Sequence, residues 1–231
     1  MSATRTLTIR DGDATVHGDL TMPDAPSGLV LFAHGSGSSR FSPRNRKVAA
    51  GLVDAGFATL LVDLLSEEED RADRLDRRHR FDIALLARRL AAAMEESARD
   101  AVVGHLPLGL FGASTGAAAA LVAAADQPGE VRAVVSRGGR PDLAGAVLGR
   151  VRCPTLLIVG ARDEIVVDLN ERAGRRLGEV AKVAIVPAAT HLFEEPGALS
   201  RVIVLARDWF LEHLAGVRAG RASTGHEPVS R

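Results

Sequence analysis

Apolar and polar positions alternate from Thr4 to Arg10, with Leu7 and Ile9 apolar, and again from Ala14 to Met22, with Val16, Leu20 and Met22 apolar. A period of two is that of a half-buried strand. Asp11-Gly12-Asp13 between the two stretches is a turn signal, so the pattern predicts an antiparallel hairpin at a sheet edge. After Pro23-Asp24-Ala25-Pro26 the pattern changes. Gly28–Ala33, Phe57–Val62, Leu106–Phe111, Val131–Val135, Pro154–Val159 and Val180–Val186 are apolar along most of their length, as strands covered on both faces are. Helical spacing fills the gaps. It places Val48, Ala49, Leu52 and Val53 on one face of Pro43–Ala55, and Ile83, Leu86, Leu90 and Met94 on one face of Phe81–Arg99. An Ala/Leu/Val run after Gly116, a segment over Val166–Leu177 and a last helix over Leu199–Leu214, with Val202, Leu205, Trp209 and Leu214 inward, complete the set. Ser136–Pro141 reads as a loop with Pro141 at a helix start. Strands that alternate with helices predict an α/β fold, a mostly parallel sheet with helices on both faces.

Composition narrows this picture. With 231 residues, 46% of them hydrophobic, the chain can bury one substantial core. A single domain is expected over residues 1–215. Residues 216–231 have few apolar side chains and several Gly, Ser and Pro, so a disordered tail is expected there. Acids and bases balance at 29 each, and the bases are nearly all scattered Arg. No net field favours nucleic acid or an anionic membrane. The N-terminus lacks a signal-peptide pattern, and no uninterrupted apolar stretch is long enough to span a bilayer, so a cytoplasmic protein is expected. Cys153 is the sole cysteine, which precludes an intrachain disulfide; its apolar setting suggests a buried, inert thiol. No His/Cys ligand cluster suggests a metal or another cofactor. Monomer and homodimer both remain open. Leu64–Arg80 is densely charged with both signs: it reads as a solvated helix or loop, or else as a flap at a pocket, since it follows a strand end.

The chemistry concentrates at strand ends. Leu108–Phe111 runs into Gly112-Ala113-Ser114-Thr115-Gly116 and then at once into the Ala-rich helix. Gly-x-Ser-x-Gly between a buried strand and a buried helix is the pattern of a nucleophile elbow. Three further polar clusters, His34–Ser39, Arg162-Asp163 and Thr190-His191, also fall at predicted strand ends, on the edge where such sheets bind ligands. A serine nucleophile needs a base, and the base needs an orienting acid. His191 is the best base and Asp163 the best acid. His191 merely capping a helix, and Asp163 merely an N-cap with Glu164 or Asp168 as the true acid, remain alternatives; Asp142 is a weaker rival. The order Ser114, Asp163, His191 is the one α/β-hydrolases use. Gly35-Ser36-Gly37 can bring a backbone N–H to the nucleophile, so Ser36 and Thr115 are the expected oxyanion-hole donors, with Gly35 or Gly37 as substitutes for Ser36. His34 is expected to shape that loop. Arg40, Arg44 and Arg137, on the same edge, are candidates to bind a substrate carboxylate.

With these motifs in place the chain resembles the α/β-hydrolases, and within them the dienelactone hydrolase-like branch. His34-Gly35-Ser36-Gly37-Ser38, Gly112–Gly116, Gly160-Ala161-Arg162-Asp163 and Ala189–Gly197 carry the resemblance, which spans about residues 5 to 214. It implies an α/β-hydrolase fold with no large cap domain, Ser114 as nucleophile, His191 as base and Asp163 as acid. The dienelactone hydrolases themselves use a cysteine where this chain has Ser114, so their lactone substrate does not carry over. Similar sequences also occur attached to phosphoribosyltransferases, but this chain has no Gly-rich phosphate loop of that kind. The expected activity is hydrolysis of a small-molecule carboxylic ester, thioester or lactone. Acyl transfer through the same acyl-enzyme and a non-catalytic binding role are the alternatives.

Overall fold

A computed structural model describes residues 2–214 of the chain, so the tail expected over residues 216–231 lies outside the described residues. Strands β1 (Ala3–Asp11) and β2 (Ala14–Met22) form the hairpin, turning at Gly12 with φ of 60°. β2 pairs antiparallel with β4 (Ala58–Val62), and every later pairing is parallel. With β3 (Leu29–Ala33), β5 (Leu108–Ala113), β6 (Val131–Arg137), β7 (Thr155–Gly160) and β8 (Ala181–Val186), the 8-stranded sheet runs β1-β2-β4-β3-β5-β6-β7-β8. The chain first moves outward from β3 to β4 and then crosses back to β5. That reversal opens a crevice at the carboxyl ends of β3 and β5, the usual ligand position in such sheets.

Alternation along the central strands feeds two cores. Leu29 and Leu31 face a core completed by α3 (Ile83–Ala98), α4 (Thr115–Asp126) and α5 (Glu164–Leu177). Val30 and Phe32 face the other, under α1 (Pro43–Asp54) and α6 (Ala198–Leu214). In α4, Thr115–Leu121 and Ala123–Ala125 are all buried, which is why its sequence is apolar all round. In α6 the inward stripe is Ala198, Val202, Ala206, Phe210 and Leu214, at four-residue spacing. Leu205 and Trp209, expected inward, are only partly buried beside it. The expected loop at Ser136–Arg137 is instead the end of β6: both residues stay in the ladder, opposite Gly112 and Ala113 of β5 and Leu157 and Ile158 of β7. Pro141 starts a helix as expected, one of the 3-10 type running to Arg150.

The charged stretch folds into α2 (Glu67–Asp76), started by a reciprocal capping box between Ser66 and Glu69, and a short 3-10 turn at His79–Phe81. Arg74–Asp70 and Arg78–Asp76 are surface pairs, as a solvated helix implies. Asp73 differs, with a side chain 1% exposed that bonds Arg80. Arg89, buried on α3, reaches both Asp11 and Glu69 and ties the hairpin to α2. Cys153 is buried, and burial pushes its thiol up to about 11. No described helix is long and apolar enough to cross a membrane.

Candidate active site

The elbow follows directly from packing. Ser114 sits between β5 and α4 with φ 50° and ψ −119°, a backbone state that a non-glycine residue holds only under constraint. Its neighbours supply the constraint. A Cβ at Gly112 would lie 2.6 Å from the Gly116 carbonyl oxygen and 2.7 Å from the Ala117 nitrogen. One at Gly116 would overlap the carbonyl oxygens of Ala33 and His34. The Ser114 N–H donates to the Arg137 carbonyl at 3.2 Å, and the Ser114 carbonyl accepts from Ala117 and Arg140 N–H groups, both at 3.1 Å. The side chain is left half-buried at the edge of the sheet.

Asp163 and His191 meet across the ends of β7 and β8. His191 Nδ1 lies 2.6 Å from Asp163 Oδ2. Asp163 occupies the N-cap position of α5, yet its carboxylate makes no capping bond. The side chain is thereby free for the imidazole. The turn that carries it is laced to the histidine loop: Ala161 N–H donates to the Val186 carbonyl at 3.0 Å and Arg162 N–H to the Ala189 carbonyl at 2.9 Å. Gly160 lets the two strands' loops approach, since a Cβ there would lie 2.6 Å from the Thr190 oxygen. Beyond His191 the chain turns through Phe193, buried with φ of 56°, and Glu195 Oε1 accepts from the Thr190 N–H at 3.0 Å. That bond holds the Glu195 carboxyl below its ordinary range. Of the rival acids, Asp168 pairs with Arg172 and Asp142 with Arg140, and Glu164 has no bond to His191. Gly138 lies against the imidazole, with an added Cβ 3.5 Å from Nδ1. Ser114 Oγ and His191 Nε2 have no hydrogen-bond partner among the described residues.

The loop after β3 closes the other side. Gly35 packs on the elbow, where a Cβ would lie 3.0 Å from Ser114 Cβ. Ser36 Oγ and Thr115 Oγ1 are 3.1 Å apart. Neither the Ser36 nor the Thr115 N–H has a hydrogen-bond partner among the described residues, and Thr115 opens α4, where N–H groups are left free by the geometry of a helix start. His34 is buried with both ring nitrogens engaged: Nδ1 is 2.9 Å from the Gly35 carbonyl oxygen, and Nε2 accepts from the Leu64 N–H at 3.0 Å. That pattern fixes the neutral Nδ1–H tautomer, and burial lowers its pKa further. It leaves His34 no nitrogen to serve Ser114.

The three arginines fare differently. Arg40 binds Asp63 and Asp19 and covers the Phe41 ring, while Arg44 pairs with Glu194 at 2.8 Å. Arg137 is buried at the end of β6, not in a loop, and its Nε and Nη1 have no partner. Burial, with Arg44 nearby, lowers its pKa to about 10. Among the described residues no group of His, Cys, Asp and Glu side chains is placed to hold a metal. A cavity of about 420 Å³ between the hairpin and α1 is lined by Asp19, Thr21, Arg46 and Thr59 and includes none of Ser114, Asp163 and His191. Sequence reasoning missed Asn170, fully buried on α5 and bonded to the Gly139 carbonyl. A polar residue within the inward stripe Val166, Ala173 and Leu177 was the available signal.

Comparison with known proteins agrees with this architecture. An α/β-hydrolase domain model matches residues 26–201, a span that contains Ser36, Ser114, Asp163 and His191. A crystal structure described as a dienelactone hydrolase from Anabaena variabilis superposes with a TM-score of 0.90 and 52% identity, covering 92% of this chain and 99% of that one. A dienelactone hydrolase-like promiscuous phosphotriesterase from metagenomic libraries gives a TM-score of 0.75 at 20% identity, covers 92% of this chain and 99% of its own, and supports the fold alone. A Mycobacterium tuberculosis protein with the provisional name phosphoribosyl transferase is 58% identical over 205 residues, which is 89% of this chain. The chain spans only 45% of that relative's length. The chain belongs to the α/β-hydrolase family, on its dienelactone hydrolase-like branch.

Proposed function

We propose that the chain is a serine hydrolase that cleaves a carboxylic ester, thioester or lactone through an acyl-enzyme on Ser114. The observation that carries this reading is the 2.6 Å pair of Asp163 and His191 on the sheet edge where the strained Ser114 stands. With Nδ1–H held by Asp163, Nε2 is the imidazole nitrogen available to a substrate. In the reaction Nε2 takes the Ser114 Oγ proton as Oγ bonds the carbonyl carbon and the carbonyl electron pair moves onto oxygen. Asp163 holds the tautomer and stabilises the imidazolium. The Ser36 and Thr115 N–H groups donate to the oxyanion, a contribution of about 3 kcal/mol per donor in comparable enzymes. Collapse breaks the bond to the leaving group, which takes the proton from Nε2. A water then repeats the sequence: Nε2 takes its proton, and the collapse returns that proton to Oγ and releases the acid. No metal or organic cofactor is needed in this scheme.

The provisional name of the tuberculosis relative describes a protein about twice as long, and the matched hydrolase model contains the whole proposed site, so hydrolysis is the activity we assign to this chain. Of the three arginines, Arg40 and Arg44 already have carboxylate partners, and the unpartnered Nε and Nη1 of Arg137 are buried, so none of the three is assigned to the substrate. The test is hydrolysis of p-nitrophenyl acetate and fluorophosphonate labelling by the wild-type protein and by Ser114→Ala. Loss of both in the folded variant is expected; unchanged hydrolysis by Ser114→Ala would overturn the proposal. Addition of alcohols or thiols to the same assay separates hydrolysis from acyl transfer.

A further inference from the structure

The segment Gly138-Gly139-Arg140 touches both His191 and Ser114. Gly138 packs on the His191 ring, and its φ of 51° is a conformation that glycine adopts readily. The Arg140 N–H donates to the Ser114 carbonyl at 3.1 Å. Gly139 is wedged between β6 and α4, where a Cβ would lie 2.7 Å from the Ala117 Cβ. The Gly139 carbonyl points the other way and accepts from Asn170 Nδ2 at 2.9 Å. The second proton of that amide goes to the Val166 carbonyl at 2.8 Å, one turn back on α5. Asn170 is 0% exposed and stands about two helical turns beyond Asp163, on the same face of the helix that carries the acid. A single amide therefore joins the acid-bearing helix to the loop that backs both the nucleophile and the base.

We propose that Asn170 is a positioning residue for this site: its amide fixes the Gly139 carbonyl, which keeps Gly138 against His191 and the Arg140 N–H on the Ser114 carbonyl. The inference rests on the serine-hydrolase reading. Asn170 touches no reacting atom in this scheme. It acts through the loop, on the relative placement of Ser114 and the Asp163–His191 pair.

The test uses Asn170→Leu, which keeps the volume and removes both donors, with Asn170→Ser as a smaller change that keeps one donor. Rates of p-nitrophenyl ester hydrolysis are measured across pH in the wild-type and Asp163→Asn backgrounds. Asn170→Leu is expected to lower kcat by about tenfold to a hundredfold with KM within about twofold, the size of effect that slight misplacement of reacting groups produces. Asn170→Ser should fall between it and wild type. In the Asp163→Asn background the loss should shrink to a few-fold, because residues that act as one unit are not additive. Wild-type kcat in either folded variant, or an equal loss in both backgrounds, would overturn the proposal. Hydrogen exchange in the unmodified protein is a check independent of any variant. The Arg140 amide should be as protected as the amides of β5 and β6, and rapid exchange there would equally overturn it. Ser114→Ala in the same assay separates the two levels. If it retains activity, the serine-hydrolase reading fails; if it is inactive while Asn170→Leu matches wild type, only the role of Asn170 fails.

Discussion

Ser36 Oγ and Thr115 Oγ1 stand 3.1 Å apart and join the loop after β3 to the first residue of α4. The two residues whose N–H groups are proposed to hold the oxyanion are thus coupled through their side chains. Either hydroxyl alone forms a neutral hydrogen bond, whose net worth is about 1 kcal/mol. Ser36→Ala or Thr115→Ala should each lower kcat/KM by about tenfold or less. The double variant should cost less than the two losses combined, since the second change removes a partner already lost. Steady-state kinetics of the four proteins checks this. A hundredfold loss from one hydroxyl would mean that the side chain itself, and not the backbone, stabilises the oxyanion.

Asp163 stands at a helix N-cap but spends its carboxylate on His191. Asp163→Asn should therefore leave the fold intact while it lowers kcat by about a thousandfold to ten-thousandfold, as expected when the orienting acid of such a triad is removed. Glu164→Gln and Asp168→Asn should remain within about twofold of wild type, because neither carboxylate touches the imidazole. Circular dichroism and ester hydrolysis on the three variants distinguish the acids that the sequence left open.

These relationships differ in how legible they were. The elbow could be read from the chain because Gly112 and Gly116 are required by backbone contacts that any such turn creates. The sheet could be read because strands covered on both faces are apolar throughout, while the hairpin alternates. The state of Arg137 could not be read. Continuous pairing with β5 and β7 extends β6 past the last obviously apolar residue, and no local pattern reports where a ladder ends. On α6 Val202 and Leu214 are inward as the pattern implies, but Leu205 and Trp209 are not, although they are larger and more apolar than Ala206: the helix turns the alanine to the sheet. Asn170 could be suspected as a polar position in an inward stripe, but its partner could not be read, because the Gly139 carbonyl is a backbone group that carries no residue-type signal.

His34 gives the protein an acid limit of stability that can be measured apart from activity. Burial lowers its pKa from the ordinary 6.5, and both ring nitrogens are engaged in the neutral form. The unfolded chain therefore takes up this proton at higher pH than the folded one. Stability is retained above the unfolded value of 6.5 and declines as pH falls from there toward the lowered folded value, by at most about 1.4 kcal/mol per pH unit from this one group. His34→Gln, whose side-chain oxygen can still accept from the Leu64 N–H, should flatten that slope between pH 7 and 5, as a rough working window. Urea unfolding at several pH values is the measurement. An unchanged slope in the variant would show that other groups set the acid limit.

Asp73 and Arg80 decide whether the charged stretch after β4 can open. Three groups of Arg80 converge on Asp73: its N–H donates to Oδ1 at 2.9 Å, Nε to Oδ2 at 2.6 Å, and Nη2 to the carbonyl oxygen at 3.0 Å. Burial alone would raise the Asp73 pKa, but the bonds from Arg80 outweigh it and hold the carboxyl below its ordinary 3.8. A carboxyl with a depressed folded pKa contributes stability above the unfolded value and loses it as pH falls through the folded value. The fastening should therefore hold at neutral pH and weaken only below about pH 4. The Arg80 carbonyl in turn accepts from Ser36 Oγ at 3.4 Å, so the fastened segment borders the proposed oxyanion loop. Asp73→Asn keeps the shape but removes the charge. It should raise amide hydrogen exchange across residues 67–81 while leaving β5 and α4 protected, because those elements belong to the buried core. If the segment closes over bound substrate, KM for a short-chain ester should rise several-fold in the variant with kcat little changed, as when uniform binding is lost. An increase in exchange without a change in KM would identify α2 as a surface brace that plays no part in enclosing the substrate.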